Sequence, residues 1–182
     1  MFHYDGVRLE KIPTALTDGP REDGKATSNH VTSVVAFSKQ DVWLGSGSEM
    51  AHFDGANWTI LDVPAAKLWG RSSSDLWAIS DYSYPDYRYV VSHFDGTSWT
   101  KHSPPSDFPL LPLSYADEGS SIGGCDNYFW ISRRNQLSVF DGSTWTASYL
   151  DGPFDAAVWG QSPDALIAGG LRAGIMRNGP LP

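Results

Sequence analysis

Histidine is the residue type whose spacing in this chain first points to chemistry, because imidazole is a common metal ligand and a general acid or base. His3, His52 and His93 each lie two residues before an Asp-Gly pair. They therefore occupy one repeated position, and a repetitive fold is expected to hold them apart on third strands of different units. We predict no metal site, no catalytic residue and no cofactor.

Paired carboxylates offer a second route to catalysis, as a general acid and a general base. Glu22-Asp23 and Asp117-Glu118 are adjacent in the sequence. Neighbouring side chains of an extended chain point in opposite directions, so neither pair is expected to act on one substrate. The chain also lacks G-x-S-x-G, a phosphate-binding loop and zinc-ligand spacing. We therefore predict that the protein is not an enzyme.

Aromatic and polar side chains are concentrated in residues 80–89, SDYSYPDYRY. Tyrosine rings beside hydrogen-bonding groups form the mixture that sugars and protein epitopes use. Residues 103–119 are rich in proline and leucine and are expected to fold over the middle of the domain, with a polyproline-like contact surface as the alternative. The candidate ligand-binding residues are Tyr82, Tyr84, Asp86, Tyr87, Arg88, Phe108 and Tyr115.

A repeated unit, clearest in residues 68–100, must position these side chains. Its first column is apolar, and its second follows eight residues later. Its third column is an Asp-Gly or Asn-Gly pair, and its fourth is a tryptophan four residues after that Asp. The columns hold Val35, Trp69, Ile122 and Trp159; Trp43, Trp77, Trp130 and Ile167; Asp54, Asp95, Asp141 and Asn178; and Trp58, Trp99 and Trp145.

The segments around the columns are short and rich in β-branched and aromatic residues, with turn residues at intervals too small for helices. In the first copy we predict strands at residues 34–37, 41–44, 50–53 and 58–61. The Asp-Gly pair is expected to form a type I′ hairpin turn, which requires positive φ at both residues.

Four antiparallel strands per unit, with 41 to 49 residues between successive Asp-Gly turns, are typical of a β-propeller blade. We predict an all-β fold, a β-propeller of four-stranded antiparallel blades with about four blades in one domain of residues 1–182. The repeated tryptophans are expected to form the core between blades. The predicted segments are 1–12 as a closing strand, 31–62, 66–102 and 119–149 as three blades, and 156–179 with the N-terminal strand as the fourth.

The N-terminal segment 7–11 has the register of a fourth strand, since Leu9 lies four residues after Asp5. We expect it to pair beside residues 174–177, which completes the last blade and removes an exposed edge. A reciprocal exchange between two chains would use the same contacts and give a homodimer. The monomer is favoured because four blades fit this length.

The motifs W-G-x-S-x-x-D-L-W at Trp69–Trp77 and H-F-D-G-x-x-W-T at His93–Thr100 resemble the tryptophan-rich propeller repeats of bacterial surface and secreted proteins. They are also similar to the tectonin lectin repeat, and D-G-x-x-W is similar to an Asp-box. The usual Ser or Thr of an Asp-box is replaced here by His52, His93 or Val139. The resemblance covers nearly the whole chain and implies a glycan-binding propeller, with sialidases among its enzymes.

Charge and hydropathy limit the partners. The net charge of −8 at pH 7 lacks the basic surface that phosphate contacts require, so we expect no nucleic-acid partner. No apolar run approaches the ~20 residues of a membrane span, so we expect no membrane insertion. The N-terminal residues lack the charged leader and the apolar run of a signal peptide, which leaves export open, and an extracellular or cell-surface location is implied by the resemblance alone.

Loop length indicates where a ligand would bind. Connections between strands one and two and between strands three and four are short and constant, whereas all length variation falls on the opposite face, including seven extra residues between Trp77 and Asp95. Because loops carry function on a rigid frame, we predict a binding protein for a glycan or a protein or peptide on the long-loop face. A structural or assembly protein is the alternative. A sialidase-like enzyme is disfavoured, since it needs an arginine cluster on that face, where Arg88 lies and Arg71 does not.

Overall fold

The computed structural model describes residues 2–4, 6–11, 16, 19–20, 26–27, 31–80, 90–102, 104, 121–133, 136–149, 157–160, 166–170 and 173–177. The chain divides into two compact units. The first unit contains residues 1–68 and 78–81, and the second contains residues 69–77 and 82–182.

The described residues form strands and turns without a helix, which confirms the predicted all-β class. Among the described residues there is accordingly no helix that is long and apolar enough to cross a membrane. The strands are β1 (Phe2–Tyr4), β2 (Leu9–Lys11), β3 (Gly19–Pro20), β4 (Ala26–Thr27), β5 (Ser33–Ser38), β6 (Asp41–Gly45), β7 (Met50–Phe53), β8 (Trp58–Leu61), β9 (Lys67–Ser72), β10 (Asp75–Ile79), β11 (Val91–Phe94), β12 (Trp99–Lys101), β13 (Ser121–Cys125), β14 (Tyr128–Arg133), β15 (Gln136–Phe140), β16 (Trp145–Tyr149), β17 (Ala157–Gly160), β18 (Leu166–Gly170) and β19 (Ala173–Arg177).

Three four-stranded sheets follow the three complete copies of the repeat. Their strands pair in chain order, β5 to β8, β9 to β12 and β13 to β16. The remaining described strands form a three-stranded sheet, β17 to β19, and the two-stranded sheets β1-β2 and β3-β4. Every register given for these sheets is antiparallel, as the short connections require.

The Asp-Gly turns are hairpins, but the predicted type I′ conformation is wrong. Phe53 pairs with Trp58, so four residues form the loop. Only Gly55 has positive φ, at 96°, while Asp54 does not. The Asp54 carboxylate instead accepts the backbone N–H groups of Ala56 and Asn57, at 2.9 and 2.7 Å. The aspartate side chain thus satisfies two backbone N–H groups of the loop, and the aspartate itself does not need a left-handed backbone conformation.

The same loop closes the other two complete sheets. Asp95 and Asp141 each accept two backbone N–H bonds from the residues two and three positions later. The turn glycines lie against the neighbouring hairpin, since a Cβ on Gly96 would lie 2.7 Å from the Cβ of Ser74. The turns between strands one and two and between strands three and four therefore share one face, as predicted.

The tryptophans of the second column are buried, which confirms that they belong to the core. Trp43, Trp77 and Trp130 are 3%, 7% and 2% exposed. The third copy differs in register, because Gly123 rather than Ile122 pairs with Trp130. In the first copy, a register shift between Ala36 and Ser38 adds one residue before the turn. The third copy pairs without such a shift, so the same spacing in sequence gives a pairing that differs by one residue.

Serine side chains link first strands of successive sheets within each unit. In the first unit, the backbone N–H of Leu68 donates to Ser33 Oγ at 2.9 Å. In the second unit, the N–H of Val158 donates to Ser121 Oγ at the same distance. Ser33 lies two residues before Val35, which pairs with Trp43, and Ser121 lies two residues before Gly123, which pairs with Trp130. The two links are therefore equivalent in register.

The N-terminal residues form a hairpin of their own. Phe2 pairs with Lys11 and Tyr4 with Leu9, which matches the pairing of strands three and four in the complete sheets. Val7 and Leu9 are 83% and 66% exposed. The pairing of this segment beside residues 174–177 stays a prediction, because the two segments belong to different units.

Candidate functional site

An aspartate, a histidine and a tryptophan form the same cluster in the first and second sheets. In the first sheet, Asp41 Oδ1 accepts a hydrogen bond from Trp43 Nε1 at 2.8 Å and lies 2.9 Å from His52 Nε2. In the second sheet, Asp75 Oδ1 lies 3.2 Å from Trp77 Nε1 and 2.9 Å from His93 Nε2. The repetition indicates that this cluster stabilises the fold.

Strand geometry explains the cluster. Asp41 and Trp43 are two residues apart on β6, so their side chains leave the same face of the sheet. His52 pairs directly with Trp43 on β7, and the two rings stack with centroids 3.9 Å apart. The Asp41 carboxylate therefore bonds one nitrogen of each ring, Nε1 of Trp43 and Nε2 of His52.

The third sheet lacks this cluster. Tyr128 stands where the first two sheets have aspartate, and Val139 pairs with Trp130 where they have histidine. Trp130 Nε1 is buried and has no hydrogen-bond partner among the described residues. Its ring lies over Gly123, where a Cβ would come within 2.8 Å of the indole. Without the aspartate of the other two sheets, the buried indole N–H of Trp130 is left unsatisfied.

The second cluster opens into a cleft of about 470 Å³ within the second unit. It lies at the hairpin turns that join β9 to β10, β13 to β14 and β15 to β16. The cleft therefore lies at the ends of the sheets that carry the short turns. The lining residues are Arg71, Asp75, Trp77, His93, His102, Asp126, Asn127, Tyr128, Phe140, Asp141, Gly142 and Ser143.

Stacked rings form the floor of the cleft. Trp77 lies between His93 and Phe129, at centroid distances of 4.2 and 4.5 Å, so both faces of the indole are covered. Phe140 is buried and contacts the His102 ring at 5.3 Å. The rings that remain partly exposed to a ligand are His93, His102 and Tyr128.

The polar atoms of the cleft are unequally engaged. Asp75 accepts bonds from Trp77 and His93 through Oδ1 and from Arg71 Nε through Oδ2. A carboxylate that is held by three donors is poorly placed to act as a general base. Arg71 is likewise paired with Asp75. The positive charge of Arg71 and the negative charge of Asp75 therefore largely neutralise each other.

Two neighbouring groups have shifted pKa values. Burial, and then the charge of His93, lower the pKa of His102 below its usual value of 6.5. The backbone N–H of Thr144 is the largest cause that lowers the pKa of Asp141, followed by bonds from Ser143. His102 is therefore neutral and Asp141 ionised at pH 7.

No group of three or more histidine, cysteine, aspartate or glutamate side chains in the described ranges could hold a metal ion. Cys125 is a free thiol near the cleft, and burial raises its pKa. The cleft thus offers hydrogen-bonding groups, imidazole faces and carboxylates for binding.

The predicted site residues Tyr82, Tyr84, Asp86, Tyr87, Arg88, Phe108 and Tyr115 lie outside the described residues, so their role stays a prediction. Sequence reasoning missed the cleft, because it placed the site on the long-loop face. A signal was nevertheless present in the repeat. Arg71 stands where the first copy has Phe37, and His102 stands where it has Leu61.

These two departures both line the cleft, whereas Asp75, Trp77 and His93 are shared with the first copy. Repeated positions therefore build the frame, and departures from the repeat give the second sheet its own surface. Comparison of the chain with models of known protein families and with curated proteins gave no match.

Proposed function

We propose that this protein is a non-catalytic carbohydrate-binding domain whose ligand occupies the cleft of the second unit. The observation that carries the proposal is the combination of a stacked aromatic floor with polar groups of both charges around an open volume of about 470 Å³. Small-molecule sites commonly have volumes of ~300–1,000 Å³ and combine apolar walls with a few polar groups.

A sugar suits both parts of this surface. The partly exposed rings of His93, His102 and Tyr128 offer faces for the apolar side of a pyranose. Asn127 supplies an amide group that can donate to and accept from sugar hydroxyls, and Ser143 Oγ, whose O–H donates to Asp141, supplies an acceptor. The tyrosine-rich segment 80–89, which the sequence predicts to lie on the long-loop face, remains a second candidate contact.

The resemblance of the repeats to tectonin-like and Asp-box-like propellers agrees with glycan binding at an extracellular or cell surface. Engagement of Asp75 and His93 in the repeated cluster supports binding without catalysis, since the same pair recurs as Asp41 and His52. An extended peptide is the other ligand class, and it is an outcome of the test below.

We further propose that the sheets are blades of a propeller. Two features support this arrangement, which are the three four-stranded sheets in chain order and the equivalent serine links from Ser33 to Leu68 and from Ser121 to Val158. First strands that neighbour each other are the strands nearest a propeller axis. Closure by residues 7–11 remains part of this proposal.

A glycan array probed with the full chain tests the function. We expect retention of a defined set of glycans, with loss of signal for His102→Ala. Asp62→Asn is the matched control, because Asp62 is exposed on the first unit and does not line the cleft. An array without signal beside a positive peptide array would replace the glycan with a peptide. No signal on either array would overturn the proposal.

Assembly is the second candidate function, and the exposed Val7 and Leu9 on the N-terminal hairpin favour it. Light scattering of the full chain distinguishes a monomer from a strand-exchanged homodimer. A mass near twice 19.9 kDa that falls to the monomer value when residues 1–12 are deleted would support exchange. A mass of one chain for both proteins would exclude it.

A further inference from the structure

The cleft that is proposed to bind a glycan has an uneven charge distribution. Apart from its histidines, the charge-bearing side chains that line the cleft are Arg71 and three aspartates, Asp75, Asp126 and Asp141. Arg71 and Asp75 form an ion pair, and Asp75 also lies against His93. Asp126 and Asp141 are left without a cation among the lining residues.

The two remaining carboxylates differ in what they can do. The bonds from Ser143 and Thr144 keep Asp141 charged but occupy both of its oxygens. Asp126 is exposed in the two-residue turn between Cys125 and Tyr128, so its carboxylate is accessible from the cleft. Asp126 is therefore the direct partner for a ligand cation, and Asp141 adds to the local field.

Aromatic rings lie beside these carboxylates in the lining of the cleft. His102 contacts the His93 ring edge to face at 5.9 Å and the tilted Phe140 ring at 5.3 Å, and it lines the cleft as a neutral ring. The neutral His102 ring and the partly exposed Tyr128 ring lie beside carboxylates and favour a cation over an anion, because a cation is attracted by the ring faces and by the carboxylates. An acidic sugar would instead meet uncompensated negative charge.

We propose that the cleft binds a basic amino sugar, a glycan whose units carry a free ammonium group at carbon 2, with Asp126 as the ammonium partner. This inference rests on the proposed glycan-binding function and names the sugar class. Neutral sugars would lack the ion pair, and sugars with carboxylate groups would be repelled.

Three β-1,4-linked tetrasaccharides that differ at carbon 2 test the inference by calorimetry with the full chain. They are the glucosamine, N-acetylglucosamine and glucose tetramers, with ammonium, acetamide and hydroxyl groups. We expect the glucosamine tetramer to bind most tightly. Its affinity should fall as salt rises, because screening weakens an exposed ion pair.

Two variants of one turn test the residue assignment. Asp126→Asn should weaken glucosamine binding about two- to fivefold, the range of an exposed ion pair, and should change binding of the glucose tetramer less. Asn127→Asp adds a carboxylate one residue away and should strengthen glucosamine binding by a similar factor. Asp62→Asn is the control for net charge and should change neither affinity.

The outcomes separate this inference from the function beneath it. Equal affinity for all three tetramers, abolished by His102→Ala, would overturn the ammonium inference and leave glycan binding intact. An affinity for the glucosamine tetramer that neither Asp126→Asn nor Asn127→Asp changes would also overturn the ammonium inference. No binding of any tetramer together with a silent glycan array would overturn both.

Discussion

His93 Nε2 lies 2.9 Å from Asp75 Oδ1, and His52 Nε2 lies at the same distance from Asp41 Oδ1 one repeat earlier. Each histidine also stacks on the tryptophan that its aspartate binds. A geometry that recurs on two sheets belongs to the frame. Function is then expected where the second sheet departs from the first, at Arg71 and His102.

The first prediction concerns the cluster away from the cleft. Asp41→Ala leaves Trp43 Nε1 and His52 Nε2 without their acceptor, which should cost about 1–3 kcal/mol of stability. Urea denaturation measures the loss from the shifted midpoint. Asp62→Ala, an exposed control, should change stability by about 0.5 kcal/mol or less. Equal losses in the two variants would show that the cluster is not stabilising.

The second prediction restores the cluster in the third sheet. Tyr128→Asp together with Val139→His would supply an acceptor for the buried Trp130 Nε1 and a histidine beside it. The double variant should be more stable than the sum of the single changes by about 1 kcal/mol, the coupling expected for residues in one network. A strictly additive double-mutant cycle would mean that the indole cannot use the new acceptor.

Much of the fold could be predicted from sequence because strand and turn signals are local. The strand predictions at 50–53 and 58–61 match the observed bounds. The turn conformation could not, since the Asp54 carboxylate competes with the backbone for the same N–H groups. Column spacing also could not show that the third copy differs in register, because the bulge of the first copy is a local insertion that leaves the spacing between columns unchanged.

The cleft was less accessible to sequence reasoning. Arg71, His102 and Asp126 come from three separated segments, and only folding of β9, β12 and β13 brings them to one surface. Asp75 and His93 both stand at positions that the first copy of the repeat shares, as Asp41 and His52. Their bond depends on cross-strand pairing, which sequence spacing does not give.

The third prediction tests the core. Trp77→Ala removes an indole that is covered on both faces by His93 and Phe129, and should cost about 3–5 kcal/mol. Tyr84→Ala, in the long-loop segment, should cost little stability. Chemical denaturation compares the two. A larger loss for Tyr84→Ala would reverse the predicted division between core and ligand-binding residues.

The fourth prediction follows from the lowered pKa of His102. The unfolded chain binds this proton near 6.5 and the folded chain only at lower pH, so stability should fall as pH drops below about 6.5. Urea midpoints at about pH 7.5 and about pH 5.5 measure the change. His102→Gln should reduce the difference between the two midpoints. An unchanged difference would assign the pH dependence to other groups.

The central claim, that repeated residues build the frame and departures from the repeat bind the ligand, is tested most directly with His52→Ala and His102→Ala. For each variant, the urea midpoint and the affinity for the strongest glycan of the array are measured side by side. The account predicts that His52→Ala lowers the midpoint and keeps the affinity, whereas His102→Ala lowers the midpoint no more than His52→Ala does and loses the affinity by tenfold or more, an effect of at least about 1.4 kcal/mol. Loss of affinity with His52→Ala, or full affinity with His102→Ala, would contradict it.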